Sequence, residues 1–133
     1  MSRKPLVLIA DDDPDILLLL SVTLERDGWE VISAANGLRA HEVALERRPN
    51  LVVLDLMMPG IDGCEVARRL RADDATKDVP ILIVTAFAEE SQAARALEAG
   101  ADAYMKKPFS PRDLLAKTAA LLLERRPRSR LAT

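Results

Sequence analysis

The sequence predicts a doubly wound α/β fold, a five-stranded parallel sheet with helices on both faces. Short apolar runs of four or five residues alternate with longer stretches of helical periodicity, strand then helix, five times over. Such strict alternation calls for parallel strands, because each right-handed crossover needs a helix's length of chain. Polar residues of the kinds used in phosphate and metal chemistry stand at the carboxyl ends of four of the five runs, which is where open parallel sheets bind ligands.

The strands are expected at Leu6–Ala10, Glu30–Ala34, Leu51–Leu54, Ile81–Val84 and Ala103–Lys106. The first helix, Pro14–Asp27, carries Ile16, Leu17, Leu20 and Leu24 at helical spacing, with Pro14 suited to the first turn and Gly28 to the C-terminal cap. The others are expected at Leu38–Arg47, Cys64–Ala72, Glu89–Ala99 (closed by Gly100) and Pro111–Arg126. Trp29, directly after Gly28, is expected to shield an edge of the sheet.

A chain of 133 residues suffices for one domain with a real core. We expect that domain over residues 1–126 and a short basic tail over 127–133, read as solvated rather than as a nucleic-acid contact. The formal charge of only −2 marks neither a nucleic-acid-coating protein nor a disordered acidic tail. No apolar run approaches the roughly 20 residues of a membrane span, and Met-Ser-Arg-Lys is too little for a signal peptide, so a cytoplasmic setting is expected. Cys64 is the only cysteine, which excludes an internal disulfide and reads as a structural thiol.

The stretch "LVLIADDDP" poses the chemical question, since Asp11, Asp12 and Asp13 crowd the end of a buried strand. Two unit charges about 4 Å apart repel by roughly 4 kcal/mol at an effective dielectric near 20. Asp13, just before Pro14, is placed to cap the first helix. Asp11 and Asp12, with Asp55 at the end of the third strand, form an oxygen-rich pocket suited to hydrated Mg²⁺, with Mn²⁺ as an alternative occupant. A carboxylate is also a nucleophile for phosphoryl groups, ionised near neutral pH without help from a base. Thr85 and Lys107, at the ends of the fourth and fifth strands, supply a hydroxyl donor and an ammonium for the transferring group.

The segments "IADDDPDI", "LVVLDLMMPGIDG", "ILIVTAFA" and "GADAYMKKPFS" stand in the order and spacing of the response-regulator receiver domains of two-component signalling, and the chain resembles that family from residue 5 to about 124. The resemblance implies a flavodoxin-like, CheY-like sheet of order 2-1-3-4-5. It implies that Asp55 is the phosphoacceptor, Asp12 a direct and Asp11 a water-mediated metal ligand, and the Met57 carbonyl a backbone ligand. Thr85, Ala86 and Lys107 resemble the phosphate-binding and switch residues, Tyr104 the aromatic switch, and Lys107–Pro108 a cis peptide. Met57 and Phe87 take the variable positions flanking the path of hydrolytic water; both are apolar, so slow self-dephosphorylation is expected.

The implied function is a signalling switch rather than an enzyme acting on other substrates. A sensor histidine kinase or phosphotransfer protein donates to Asp55, and the surface of the fourth helix, fifth strand and fifth helix then signals to a protein partner. The chain is expected to act as a single-domain regulator, monomeric or dimerising on phosphorylation, without touching nucleic acid or membrane itself. One alternative is the receiver piece of a DNA-binding transcription factor, although Ala103 stands where such receivers commonly carry a second acid. Another is a metal-dependent phosphatase with an aspartyl nucleophile, whose general acid would be needed at Met57.

Overall fold

The computed structural model describes residues 4–86 and 90–123. Its elements run β1 (Leu6–Ala10), α1 (Pro14–Arg26), β2 (Glu30–Ala34), α2 (Gly37–Arg47), β3 (Leu51–Leu54), α3 (Gly63–Ala72), β4 (Ile81–Thr85), α4 (Glu90–Ala99), β5 (Ala103–Lys106) and α5 (Pro111–Leu123). All strands are parallel, in the order β2-β1-β3-β4-β5. The chain thus starts in the sheet's interior, builds outward to β2, and returns through β3 to the other edge. The order reverses between β1 and β3, and their carboxyl ends flank the crevice.

Strand periodicity sorts the core into two layers. Leu8, Val52, Leu54, Ile81 and Ile83 face α2, α3 and α4, where they meet Ala40, Val43, Val66, Leu70 and Ala96. The alternate residues Val7, Ile9, Val53, Leu82 and Val84 face Leu20 and Leu24 of α1 and Leu114 and Leu121 of α5. β1, β3 and β4 are covered on both faces and are therefore apolar except for Thr85 at the end of β4, whereas the edge strands β2 and β5 keep polar positions. Each fully buried Leu, Ile or Val contributes about 1.5–3 kcal/mol.

Helix starts are set by side-chain caps. Asp13 Oδ1 accepts the Asp15 amide at 2.9 Å, Asn36 Oδ1 the Arg39 amide at 2.8 Å, Asp62 Oδ1 the Glu65 amide at 2.8 Å and Ser110 Oγ the Asp113 amide at 3.0 Å. The caps at Asn36 and Asp62 start α2 and α3 at Gly37 and Gly63, one residue before the positions expected from helix propensity, in which glycine ranks low. β4 runs one residue further, to Thr85, which pairs with Lys106. Trp29, directly before the edge strand β2, is 5% exposed and packs in the α1/α5 layer. The expected start of the fourth helix at Glu89, the end of the fifth at Arg126 and the tail 127–133 lie outside the described residues.

Candidate functional site

The carboxyl ends of β1, β3, β4 and β5 converge. Asp55 follows β3 directly, with its amide bonded to the Ala10 carbonyl of β1 at 2.9 Å, while the Asp11 amide bonds to the Ala34 carbonyl of β2 at 3.2 Å. Continuation of the sheet ladder past the strand ends therefore orients both acids. Both are buried, Asp11 2% and Asp55 8% exposed, whereas Asp12 is open to solvent. Oxygens of Asp11, Asp12 and Asp55 lie within 4.8 Å of one another, a set of three carboxylates able to hold a metal ion. The donors are all oxygen, and two of the three acids are buried while the third is exposed to water. That combination fits a hard divalent cation which keeps part of its hydration shell.

Lys107 closes the site from β5. Its Nζ lies 2.7 Å from Asp11 Oδ2 and 3.4 Å from Asp55 Oδ2, with the side chain 15% exposed. The Lys107 amide bonds to the Thr85 carbonyl at 2.8 Å, and the Lys107–Pro108 peptide is cis. Burial pushes the Asp11 carboxyl above its usual value and the Asp55 charge adds to the rise, against the opposing hydrogen bonds from Lys107 and the Asp13 amide. Burial also disfavours the Lys107 ammonium, but the Asp11 hydrogen bond and the charges of Asp55 and Asp11 outweigh it, and its pKa is raised. One cation thus faces an excess of acid, which leaves room electrostatically for another.

Thr85 ends β4 fully buried, and Ala86 follows it exposed. Tyr104 sits half-buried in β5, opposite Ile83, and with Met105, Asp113, Ala116, Lys117 and Ala120 lines a cleft of about 460 Å³ between β5 and α5. Met57 projects from the β3–α3 loop, 52% exposed. Phe87 lies outside the described residues. Asp13 stands apart from the acid cluster as the α1 cap, and Cys64, buried in α3, has its thiol pKa raised by burial.

Three residues shaping the site had no role in the sequence reading. Asp62 caps α3 in an Asp-x-x-Glu pattern that was legible as a helix start. Ile61 and Gly37, 24 positions apart in the chain, meet where α2 begins against the β3–α3 loop, and no local pattern announces that contact.

The chain is 47% identical over 116 residues to the phosphate regulon transcriptional regulatory protein PhoB of Pseudomonas aeruginosa, covering 87% of this chain and 51% of that protein. It spans about half the length of the curated relatives it matches. Among solved structures it is similar to chemotaxis protein CheY4 of Vibrio cholerae, with a TM-score of 0.85 and 30% identity over 90% of this chain and 99% of that one. It is likewise similar to the receiver domain of sensor histidine kinase PA1611 from Pseudomonas aeruginosa, which has a magnesium ion coordinated in its active site cleft (TM-score 0.85, 27% identity, 90% and 98% covered). With sheet order, acid cluster and lysine in place, and with the model of the response regulator receiver domain matching residues 7–119, the chain belongs to the response-regulator receiver family.

Proposed function

We propose that the chain is a phosphorylation-driven switch that takes a phosphoryl group from a phosphohistidine of a sensor kinase or phosphotransfer protein onto Asp55. The observation that carries this reading is the Lys107 ammonium bridging Asp11 and Asp55 at 2.7 and 3.4 Å beside the Asp12 carboxylate. Asp11, Asp12, Asp55 and the Met57 carbonyl are the residues that would hold Mg²⁺, or Mn²⁺. When bound, the cation supplies charge neutralisation for the oxygens of the transferring group.

An Asp55 carboxylate oxygen attacks phosphorus in line. The P–O bond forms, the P–N bond of the donor breaks, and the ring nitrogen leaves with the electron pair and takes a proton. Lys107 moves its hydrogen bonds from carboxylate to phosphoryl oxygen, and Thr85 with the Ala86 backbone donates to another. Tyr104 then shifts toward Thr85, changing the α4–β5–α5 surface that includes the cleft beside α5. Moving such a switch from 1:99 to 99:1 needs about 5.5 kcal/mol of differential stabilisation. The exposed Leu18, Leu19 and Val22 on α1, which begins next to the acid cluster, offer an apolar face for the donor protein.

Incubation with Mg²⁺ and a small acyl phosphate is expected to add one phosphoryl group, seen as about 80 Da by intact mass. Asp55→Asn is expected to add none; full labelling of that variant overturns the assignment.

The half-length coverage of PhoB favours a second reading with the same site, in which the domain controls a DNA-binding partner domain of a longer regulator. An extended reading frame in the source genome distinguishes it from a single-domain regulator. The phosphatase alternative lacks its acid, since a thioether stands at position 57.

A further inference from the structure

Two helices begin against the segment that carries Asp55, and each begins with a residue that has no side chain. Gly37, the first residue of α2, is buried; a Cβ there would collide with the Ile61 carbonyl oxygen and come within 2.7 Å of Ile61 Cγ1 and 3.1 Å of Val66 Cγ2. Gly63, the first residue of α3, would drive a Cβ into the Asp55 carbonyl oxygen and to 3.1 Å of Leu56 Cα, and its amide bonds to the Leu56 carbonyl at 2.8 Å. Neither glycine has a positive φ, so close approach, not backbone conformation, requires glycine at both places.

The segment has little room to retreat. Ile61 lies between Gly60, which turns the chain at φ +83°, and Asp62, whose carboxylate caps α3. α2 in turn is held at its start by the Asn36 cap and along its length by the buried Ala40, Val43 and Ala44. Residues 56–61 are therefore confined between the starts of two helices, one of which follows β2, the strand that contributes no acid to the site.

We propose that Gly37 is a positioning residue for the acid site. The start of α2 acts as a backstop for the Ile61 carbonyl and so fixes where residues 56–61 run relative to Asp55. A methyl group at position 37 displaces that segment and spoils the arrangement of Asp55 and the Met57 carbonyl. The inference rests on the functional reading above and extends it to a residue outside the set of converging strand ends.

The test compares Gly37→Ala with Val43→Ala, which leaves a cavity further along the same helix, away from its start. For each, thermal stability, Mg²⁺ affinity by calorimetric titration and the amide chemical shifts of residues 55–62 in metal-free protein are measured. Gly37→Ala is expected to raise the Mg²⁺ Kd about tenfold, as loss of support behind metal ligands does, and to move those amide shifts before any metal is added. Val43→Ala is expected to lower Tm while leaving Kd and the loop shifts unchanged. Wild-type Kd and shifts in Gly37→Ala overturn the inference, as does an equal rise in Kd for Val43→Ala. If Gly37→Ala does not fold, Ile61→Ala removes the side-chain part of the contact, at Cγ1, with α2 intact. A smaller rise in Kd supports the inference there, and an unchanged Kd together with unchanged amide shifts for residues 55–62 overturns it. Failure of the wild-type chain to bind Mg²⁺ overturns the functional reading and the inference together, whereas wild-type binding with an unaffected variant overturns the inference alone.

Discussion

Lys107 reaches across 96 residues of chain to place its Nζ 2.7 Å from Asp11 Oδ2, joining the carboxyl end of the interior strand β1 to that of the edge strand β5. The pair is buried on the acid's side, 2% exposed, and largely buried on the other, 15%. It partly compensates a cluster that holds more acid than base, and the first two predictions follow from that imbalance.

Lys107→Met leaves Asp11 and Asp55 buried without a cation. Breaking a buried charge pair on one side costs about 3 kcal/mol, so the metal-free variant is expected to unfold at markedly lower urea concentration than wild type. Added Mg²⁺ should restore more stability to the variant than to wild type, because the ion replaces the missing charge. Phosphoryl uptake should nonetheless fall. Equal urea midpoints without metal would argue against the lysine's role in the cluster.

The raised pKa of Asp11 has a definite sign. The folded protein holds this proton to higher pH than the unfolded chain, whose carboxyl titrates near 3.8, so ionising Asp11 destabilises the metal-free fold as pH rises through the folded pKa. Asp11→Asn should therefore be more stable than wild type at pH 7 without metal. That advantage should vanish as pH falls toward 3.8, and Mg²⁺ should stabilise wild type more than the variant. Lys107 has the same sign in a higher window: its pKa is raised above the ordinary 10.5, so its contribution is full at neutral pH and is lost as pH climbs through the folded value. Denaturation midpoints across pH, with and without Mg²⁺, measure both slopes.

Met57 stands half-exposed two residues from Asp55 and offers water no hydrogen-bonding group beyond a weak thioether. Met57→Asn should shorten the lifetime of the phosphorylated protein several-fold, and adding Phe87→Glu should shorten it further. Phosphoryl decay followed on Mg²⁺-supporting native gels gives the lifetime, and an unchanged value counts against the proposed water path.

Arg71 supports the opposite pole of the sheet. Its guanidinium donates to the carbonyls of Gly100, Lys77 and Val79 at 3.0, 3.0 and 2.6 Å and to Asp102 Oδ2 at 2.8 Å, while that same oxygen accepts the Ile81 amide at 2.8 Å. One side chain thus ties the end of α3 to the β4 approach and the α4–β5 turn. Arg71→Ala removes a donor from three carbonyls and a cation from Asp102, and should cost about 2–4 kcal/mol in chemical denaturation. Arg71→Lys should recover little of the loss, because an ammonium lacks the planar fork. Phosphoryl uptake by the folded fraction should be unaffected.

All five strands and five helices were legible in the sequence because the chain obeys local rules: apolar runs bounded by turn residues, helical periodicity, and acids or glycines at helix ends. The acids and the lysine were legible for a further reason, since alternating parallel topology sends every strand's carboxyl end to one side of the sheet. The structure decided the rest. Only packing shows that Lys107 pairs more closely with Asp11 than with Asp55, that Asp12 alone of the three acids faces water, and that Trp29 belongs to the core. The contact of Gly37 with Ile61 belongs to the same class. Local sequence encodes backbone preference within a few residues, whereas burial, charge compensation and steric contact depend on residues dozens of positions away whose mutual distances exist only once the sheet has closed.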